Sequence, residues 1–334
     1  MKLGVDSYTL RNSGLDPIGV LRLAHQLELD GVLFELSPFS SFRAPDLEQI
    51  RGTAAELGLY LEFAMGSIFH GHLMADKGRR LLADAGYATA GSEAETVIQH
   101  LEVARQLGSP ILRCVAGDLF TRDAGHDMAR LAEDAVAILR EACAAAEAMG
   151  LKIAMENHAD FTVRELASIL ARVHSPAFGF TLDTGNLAFD LDEPLRLTQI
   201  MAPDALTTHF KDYRVIRTPH GLALENCALG EGDLDQVAIA ESLARYHPEM
   251  HLNIEIHSQF APFPLQILQP GYWDRHPAPP GDGLSWYLAK SWTRDDPPQP
   301  PTNLADGSES WQVEREHLER SVRWARQRLG HLLQ

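Results

Sequence analysis

Cysteine is scarce in this sequence. The three cysteines, Cys114, Cys143 and Cys227, are an odd number and lie far apart in a chain of 334 residues. A disulfide framework needs pairs of cysteines, so this pattern argues against a secreted, disulfide-bonded protein. The first residues, MKLGVDSYTL, also lack the basic region and the long apolar stretch of a signal peptide. We therefore expect a cytoplasmic protein.

Positive charge is in short supply as well. The 29 lysines and arginines stand against 46 aspartates and glutamates, which gives a formal net charge of −17. A surface with this charge repels a phosphate backbone, so we expect no nucleic-acid partner.

Long apolar runs and nucleotide-binding loops are missing too. No stretch approaches the roughly 18 consecutive apolar residues of a membrane helix, so we expect no membrane partner. No G-x-G-x-x-G follows the first predicted strand, and no G-x-x-x-x-G-K-[ST] occurs, so no nucleotide cofactor is indicated. With 45% hydrophobic residues the chain can still bury a large core, as a soluble globular protein does.

Short β-rich runs alternate with longer amphipathic runs along the whole chain, which is typical of a parallel sheet built from βα units. The predicted strands cover residues 2–8, 31–36, 59–65, 110–116, 151–157, 178–183, 205–210 and 251–257. The predicted helices lie near 17–29, 46–57, 95–107, 127–149, 162–173, 193–201, 235–246 and 309–329. Eight such units predict the α/β class and a (β/α)8 TIM barrel.

We expect residues 1–334 to form a single barrel domain. Two segments exceed an ordinary connection: 66–94 after strand three, and 258–308 after strand eight. The second segment is rich in proline and aromatic residues and is predicted to be an extended loop or lid before the last helix. Its DDPPQPP stretch, 295–301, is predicted to be an exposed linker.

Polar side chains that can bind a metal ion stand at the ends of predicted strands five to eight. They are Glu156, Asp183, His209 and Glu255, separated by 27, 26 and 46 residues. Because strand ends meet at one mouth of a barrel, we expect these side chains to converge. Three carboxylates and an imidazole suit one divalent ion, Mn²⁺ in the first place, with Mg²⁺, Co²⁺ or Zn²⁺ as alternatives. The competing interpretation of each acid alone is a helix cap or an ion pair.

Side chains two apart on a strand share a face, so His158, Lys211 and His257 are candidates for substrate contact or catalysis beside the metal ligands. Arg113, Asn186 and His70 are further candidates for substrate contact. Arg113 can clamp an anionic group or neutralise the acidic mouth, and the sequence does not separate the two. Asn186 can bind a hydroxyl or begin a turn, and His70 can reach substrate or lie on a surface loop.

Three further acids, Asp6, Glu35 and Glu62, recur at gaps of 29 and 27 residues in the first half of the chain. Glu35 is a candidate for supporting the metal ligands. For Asp6 and Glu62 we expect polar packing inside the barrel, because neither is the last residue of its predicted strand.

A set of short motifs resembles the xylose isomerase-like barrels, the sugar phosphate isomerase/epimerase superfamily. These motifs are ENH at 156–158, LDTGN at 182–186, HFKD at 209–212, LGEGDLD at 229–235 and the glutamate of IEIH. The superfamily includes tagatose/psicose 3-epimerases, hydroxypyruvate isomerase and inosose dehydratase, and the resemblance covers roughly residues 1–257. It implies one divalent ion on Glu156, Asp183, His209 and Glu255, and in epimerase members the two glutamates also form the acid/base pair.

Two departures from the epimerase pattern bear on the reaction. Those epimerases usually have a histidine three residues after the aspartate ligand, where this chain has Asn186, and their last loop is short. The histidine of ENH together with a long final loop also resembles members that act as lyases on 3-oxo sugars or 3-oxo sugar acids.

The resemblance leads us to expect a metal-dependent isomerase or epimerase that acts on a small keto-sugar or sugar derivative through a metal-bound enediolate. The alternative is a lyase, by β-elimination or decarboxylation, on 3-oxo sugars, 3-oxo glycosides or 3-oxo sugar acids. In either reaction a carboxylate or His158 takes the proton. An endonuclease IV-like nuclease needs more histidines and a basic face, and a non-catalytic sugar-binding barrel need not keep both glutamates. The aromatic segment 260–292 either closes over its own site or meets a partner in a homodimer.

Overall fold

The computed structural model describes residues 1–258, 260–293 and 307–334. Its strands are β1 (Lys2–Asp6), β2 (Gly31–Phe34), β3 (Tyr60–Ser67), β4 (Ile111–Val115), β5 (Lys152–Glu156), β6 (Phe178–Asp183), β7 (Ala205–Phe210), β8 (Asp212–Thr218), β9 (Gly221–Cys227), β10 (His251–Ile254) and β11 (Phe263–Leu265). Eight of them close a parallel barrel in the order β1-β10-β7-β6-β5-β4-β3-β2. The predicted barrel is confirmed, and each predicted strand coincides with one barrel strand.

Helices surround the barrel. They are α1 (Pro17–Gln26), α2 (Ala44–Leu57), α3 (Ala75–Asp84), α4 (Glu93–Leu107), α5 (Met128–Met149), α6 (Val163–Val173), α7 (Pro194–Met201), α8 (Gln236–Ala244), α9 (Tyr272–Arg275), α10 (Gly281–Trp292) and α11 (Gly307–Leu329). In the part of the chain that is described, none of them is long and apolar enough to cross a membrane.

Helix α6 illustrates how the sequence specifies these elements. Thr162 and Glu165 form a capping box, in which each side chain accepts a hydrogen bond from the other residue's backbone N–H. The buried face of the helix recurs at helical spacing and consists of Val163, Leu166, Ile169 and Val173. Burial of each such side chain stabilises the fold by about 2 kcal/mol.

Two connections hold structure that the hydrophobic pattern did not indicate. Helix α3 lies within the segment 66–94, and the hairpin of β8 and β9 lies between β7 and α8. Strand β11 pairs with β9, so the segments after β7 and after β10 together build a small antiparallel sheet beside the barrel.

The segment 258–308 is therefore partly ordered into β11, α9 and α10. Tyr287 of α10 is fully buried against the small sheet and donates a hydrogen bond to the backbone of Asp192. The role of the segment 258–308 as a lid stays a prediction. The predicted linker at 295–301 lies outside the described residues.

A network of polar side chains fills the barrel interior towards the N-terminal ends of the strands. Glu62 Oε2 accepts hydrogen bonds from Thr207 Oγ1 (2.6 Å) and Asn253 Nδ2 (3.0 Å), and Glu62 Oε1 lies 2.6 Å from His251 Nδ1. Tyr60 donates to Asn253 Oδ1 at 2.7 Å. We call these five residues the basal cluster. Glu62 thus lies inside the barrel, as expected from the sequence.

Two glycines make room for the basal cluster. A Cβ on Gly4 would lie 1.9 Å from the Tyr60 hydroxyl, and a Cβ on Gly31 would lie 2.2 Å from the Tyr60 ring. Both strands β1 and β2 therefore need glycine here, because the tyrosine ring occupies the space of two interior side chains.

Candidate metal centre

Four adjacent barrel strands bring together the side chains predicted to bind a metal ion. Strands β5, β6, β7 and β10 are neighbours, and Asp183 of β6 stands in register with His209 of β7. Glu156 is the last residue of β5, and Glu255 directly follows β10. One ligand atom from each residue lies within 4.8 Å of the others, and all four residues are buried. We call these four residues the apical cluster.

The imidazole of His209 is the hub of the apical cluster. Its Nδ1 lies 2.9 Å from Glu255 Oε2 and 3.2 Å from Glu156 Oε2, and its Nε2 lies 3.2 Å from Asp6 Oδ2. Neither ring nitrogen has a hydrogen-bond partner of good geometry among the described residues. Burial lowers the pKa of His209, but the charges of Glu156 and Glu255 outweigh burial and hold that pKa well above its usual value. The environment thus favours positive charge at Nδ1.

Each carboxylate of the apical cluster has one oxygen held from outside and one oxygen that faces the centre. Asp183 Oδ1 accepts hydrogen bonds from the backbone N–H groups of Gly185 (2.8 Å) and Asn186 (2.9 Å). The Asn186 side chain donates to Glu156 Oε1 at 3.1 Å and to Asp183 Oδ2 at 3.0 Å. The three inward oxygens and the imidazole Nδ1 form a compact donor set, in which Asp183 Oδ2 also accepts from Asn186.

The other oxygen of Glu255 is held by His257, whose Nε2 lies 2.8 Å from Glu255 Oε1. Burial lowers the pKa of His257 to about 4, so the ring is neutral and its Nε2–H donates to the carboxylate. The predicted substrate contact His257 therefore also orients a member of the apical cluster.

Two buried cations partly balance these acids. Arg113 donates to Glu156 Oε2 from Nε (2.6 Å) and from Nη2, and its Nη1 donates to Glu35 at 2.6 Å. Lys211 Nζ lies 2.8 Å from Asp183 Oδ2 and 3.0 Å from Glu255 Oε2. The structure thus shows Arg113 neutralising the acidic mouth; a contact of Arg113 with substrate stays a prediction.

The carboxyl pKa values record the competition between burial and neighbouring charge. Burial raises the pKa of Asp183 to about 6 and that of Glu35 to about 7. Burial also disfavours ionised Glu156, but Arg113 and His209 outweigh it and lower that pKa below its usual value.

The donor set fits one divalent cation. Among the described residues, the permanently charged cations that pair with the acids here are Arg113 and Lys211. Five acids converge at this place: Asp6, Glu35, Glu156, Asp183 and Glu255. Glu255 Oε2 and His209 Nδ1 are buried without a hydrogen bond from the described residues. A divalent ion would offset the excess negative charge and bind these two atoms, and oxygen-rich ligands suit hard ions such as Mn²⁺ or Mg²⁺.

The remaining predicted residues occupy different places. His158 is half-buried beside the apical cluster, and its Nδ1 lies 2.7 Å from the Gly117 carbonyl oxygen. His70 is tied to α4, where its Nε2 lies 2.7 Å from Thr96 Oγ1. The roles of both histidines in substrate binding or catalysis stay predictions.

Asp6 is the site residue whose role the sequence did not indicate. The predicted strand 2–8 ends in the structure at Asp6, so this residue meets the same strand-end criterion as Glu156. Its Oδ1 accepts a hydrogen bond from Tyr8 N at 2.6 Å, while Oδ2 faces His209. A carboxylate in this position orients a metal-binding imidazole and fixes which nitrogen carries the proton.

A family model described as xylose isomerase-like TIM barrel matches residues 21–283. The chain belongs to this family. A curated relative, the 3-oxo-isoapionate decarboxylase of Pectobacterium atrosepticum, is 23% identical over 234 residues, which are 68% of this chain and 74% of the relative. A second relative, the uncharacterized protein YihM of Escherichia coli, is 25% identical over 185 residues, about half of either chain (54%).

Solved xylose isomerase-like barrels share the fold. The D-psicose 3-epimerase of Clostridium cellulolyticum H10, solved with D-tagatose, superposes with a TM-score of 0.60 at 18% identity, over 96% of this chain and 98% of that chain. At this identity the similarity establishes the fold alone. The named activities among these relatives are enzymatic.

Proposed function

We propose that this chain is a divalent-metal-dependent isomerase or epimerase of a small keto-sugar or sugar derivative. The observation that carries the proposal is the pair Glu156 and Glu255. They come from β5 and β10, the strands that flank β6 and β7, and both approach His209 Nδ1, at 3.2 and 2.9 Å. Two carboxylates on either side of one cation site are the groups that proton removal and return require.

The apical cluster would hold the ion through Glu156, Asp183, His209 and Glu255. When bound, a divalent ion supplies positive charge that stabilises negative charge developing on the oxygens of a carbonyl and its neighbouring hydroxyl. The metal identity stays a proposal, with Mn²⁺ as the first choice.

The residues of the chain divide the remaining work. One glutamate removes the proton from the carbon beside the carbonyl, and the other returns a proton to the opposite face or to the neighbouring carbon. Arg113 holds Glu156 in place, and His257 does the same for Glu255. Asn186 donates its two side-chain N–H groups to Glu156 and Asp183, which leaves its Oδ1 as the atom that can accept from a substrate hydroxyl.

A lyase acting on 3-oxo sugars or 3-oxo sugar acids is the second candidate, and His158 favours it. Because a carbonyl oxygen can only accept, the contact with Gly117 means that His158 Nδ1 donates its proton, and in the neutral tautomer Nε2 is the nitrogen that can act as a base. The similarity to a decarboxylase supports the same candidate. In this reaction the enediolate forms by loss of CO₂ or expels a β-substituent.

Proton NMR in D₂O tests both candidates at once, with Mn²⁺-loaded protein and a panel of ketoses, 3-oxo glycosides and 3-oxo sugar acids. Deuterium entering the carbon beside the carbonyl, with an epimer or aldose accumulating, is the result expected for the isomerase. Release of CO₂, water or an aglycone assigns the lyase instead. Protein that binds Mn²⁺ but changes no member of the panel contradicts both. The Glu255→Gln variant is the matched negative control.

Residence in the cytoplasm and assembly as a homodimer remain proposals from the sequence. Size-exclusion chromatography with light scattering decides between monomer and dimer, and a monomer would favour a lid role for the segment 260–292.

A further inference from the structure

Lys211 contacts the same oxygens that a metal ion would need. Its Nζ lies 2.8 Å from Asp183 Oδ2 and 3.0 Å from Glu255 Oε2, the inward oxygens of two apical carboxylates. The outward oxygens of these carboxylates are already bound, by backbone N–H groups and by His257. The ammonium and a divalent ion therefore compete for the same two acceptors.

The backbone of Lys211 is fixed from two sides. The Thr184 hydroxyl donates to the Lys211 carbonyl oxygen (2.7 Å) and accepts from the Lys211 N–H (2.8 Å). Gln236 Nε2 donates to the same carbonyl oxygen at 2.7 Å. All three residues are buried. These hydrogen bonds hold the Lys211 backbone in place between β7 and β8.

The stem of the side chain is confined as well. A Cβ on Gly185 would lie 2.8 Å from Lys211 Cδ, so this glycine leaves the space through which the aliphatic stem passes. The next residue, Asp212, accepts hydrogen bonds from Gly230 N (2.9 Å) and Gly232 N (3.2 Å). The motifs LDTGN and LGEGDLD thus both brace the segment that carries Lys211.

We propose that Lys211 is a built-in counter-cation that weakens and thereby sets the affinity of the apical cluster for its metal ion, and that Thr184 is a positioning residue for it. This inference rests on the proposed metal site. An ion held by these carboxylates would take the place of the ammonium on at least one inward oxygen.

The expected effect follows from charge. A unit positive charge about 4 Å from a divalent ion, in a buried site, lowers the affinity for that ion by well over tenfold. Removing the ammonium should therefore tighten metal binding, although most substitutions next to a metal site weaken it. Loss of the Thr184 hydroxyl should tighten binding by a smaller factor, since the lysine keeps its charge but not its position.

Isothermal titration calorimetry with Mn²⁺ on the full metal-free chain provides the test, with the variants Lys211→Met, Lys211→Arg and Thr184→Val. The control is Lys152→Met, because Lys152 is an exposed lysine at the opposite end of β5. We expect a Kd at least about tenfold lower for Lys211→Met, a few-fold lower for Thr184→Val, and unchanged for Lys211→Arg and for the control.

The outcomes separate this inference from the proposed function. Wild-type protein that binds Mn²⁺ with the same Kd as Lys211→Met, or more tightly, overturns the role of Lys211 and leaves the metal site standing. Mn²⁺ binding that is detected in Lys211→Met but not in the wild type supports the inference in its strongest form. Absence of Mn²⁺ binding in wild type and in every variant, with circular dichroism showing folded protein, overturns the site and the inference together.

Discussion

The basal and apical clusters are built from similar residues and share strands β7 and β10, yet they differ in how their hydrogen-bonding groups are used. Strand β7 supplies Thr207 to the basal cluster and His209 to the apical one. Strand β10 supplies Asn253 to the basal cluster, and Glu255 of the apical cluster directly follows it. In the basal cluster both oxygens of Glu62 have partners. In the apical cluster Glu255 Oε2 and His209 Nδ1 have no hydrogen-bond partner among the described residues.

The contrast shows that burial and polar composition do not by themselves mark a functional site. A buried carboxylate whose partners satisfy it, such as Glu62, stabilises one arrangement of the barrel core. Buried donor atoms without partners, amid excess negative charge, are costly unless a ligand binds them. The two clusters therefore should respond differently to metal removal and to loss of a single charge.

The largest difference between the two clusters should appear when the metal ion is removed. We expect dialysis against EDTA to lower activity by about 10³-fold or more and Mn²⁺ to restore it, because of the two clusters the apical one has the donor set of a metal site. The rate of the reaction identified by NMR measures the loss, and far-ultraviolet circular dichroism checks that the barrel persists. Full activity in protein shown to be metal-free would contradict the proposed site.

Neutralising one apical glutamate should have the next largest effect. We expect Glu156→Gln and Glu255→Gln each to lower kcat by about 10³-fold while the fold stays intact, because the amide keeps the shape but not the basicity of the carboxylate. Glu56→Gln on the exposed face of α2 is the control. A near-native rate in either apical variant removes that glutamate from the proposed mechanism.

Asp6→Asn should have a smaller effect, on the metal rather than on the fold. Asp6 lies 3.2 Å from His209 Nε2 and, with its charge, favours the tautomer that presents Nδ1 to the ion. We expect the Kd for Mn²⁺ to rise about tenfold in a calorimetric titration. Asp30→Asn, which changes an acid bonded to Leu3 N near the opposite end of β1, should leave the Kd unchanged.

The sequence predicted the barrel and the apical residues because both depend on a regular spacing. Each ligand follows an apolar strand, so the position of the strand end places the side chain at the mouth. Asp6 was assigned to interior packing because the first strand seemed two residues longer than it is. Its contact with His209 could only follow from the closure of β1 against β10.

Long-range pairing also explains what else the sequence did not reveal. The hairpin of β8 and β9 packs against β11, which comes from a distant segment, so no local period marks it as part of one sheet. The bonds from Thr184 and Gln236 to Lys211 span 27 and 25 residues. Such contacts depend on which strand ends become neighbours, which hydrophobic patterning does not encode.

The smallest effect on activity should come from the basal cluster. Loss of its charge should lower the stability of the protein, unlike loss of a charge in the apical cluster. Glu62→Gln replaces an acceptor of Thr207, His251 and Asn253 by a group with two donors, so one buried donor loses its partner. We expect the free energy of unfolding to fall by about 2 kcal/mol, with activity per folded molecule within about twofold of wild type. Asp183→Asn in metal-free protein at pH 7 should leave stability unchanged or higher, because burial raises the pKa of Asp183 to about 6 and so disfavours its charge in the folded state. Urea denaturation of both variants in EDTA measures the difference. If both variants lose the same stability, the apical cluster is a structural network like the basal one, and its unpartnered atoms do not mark a site.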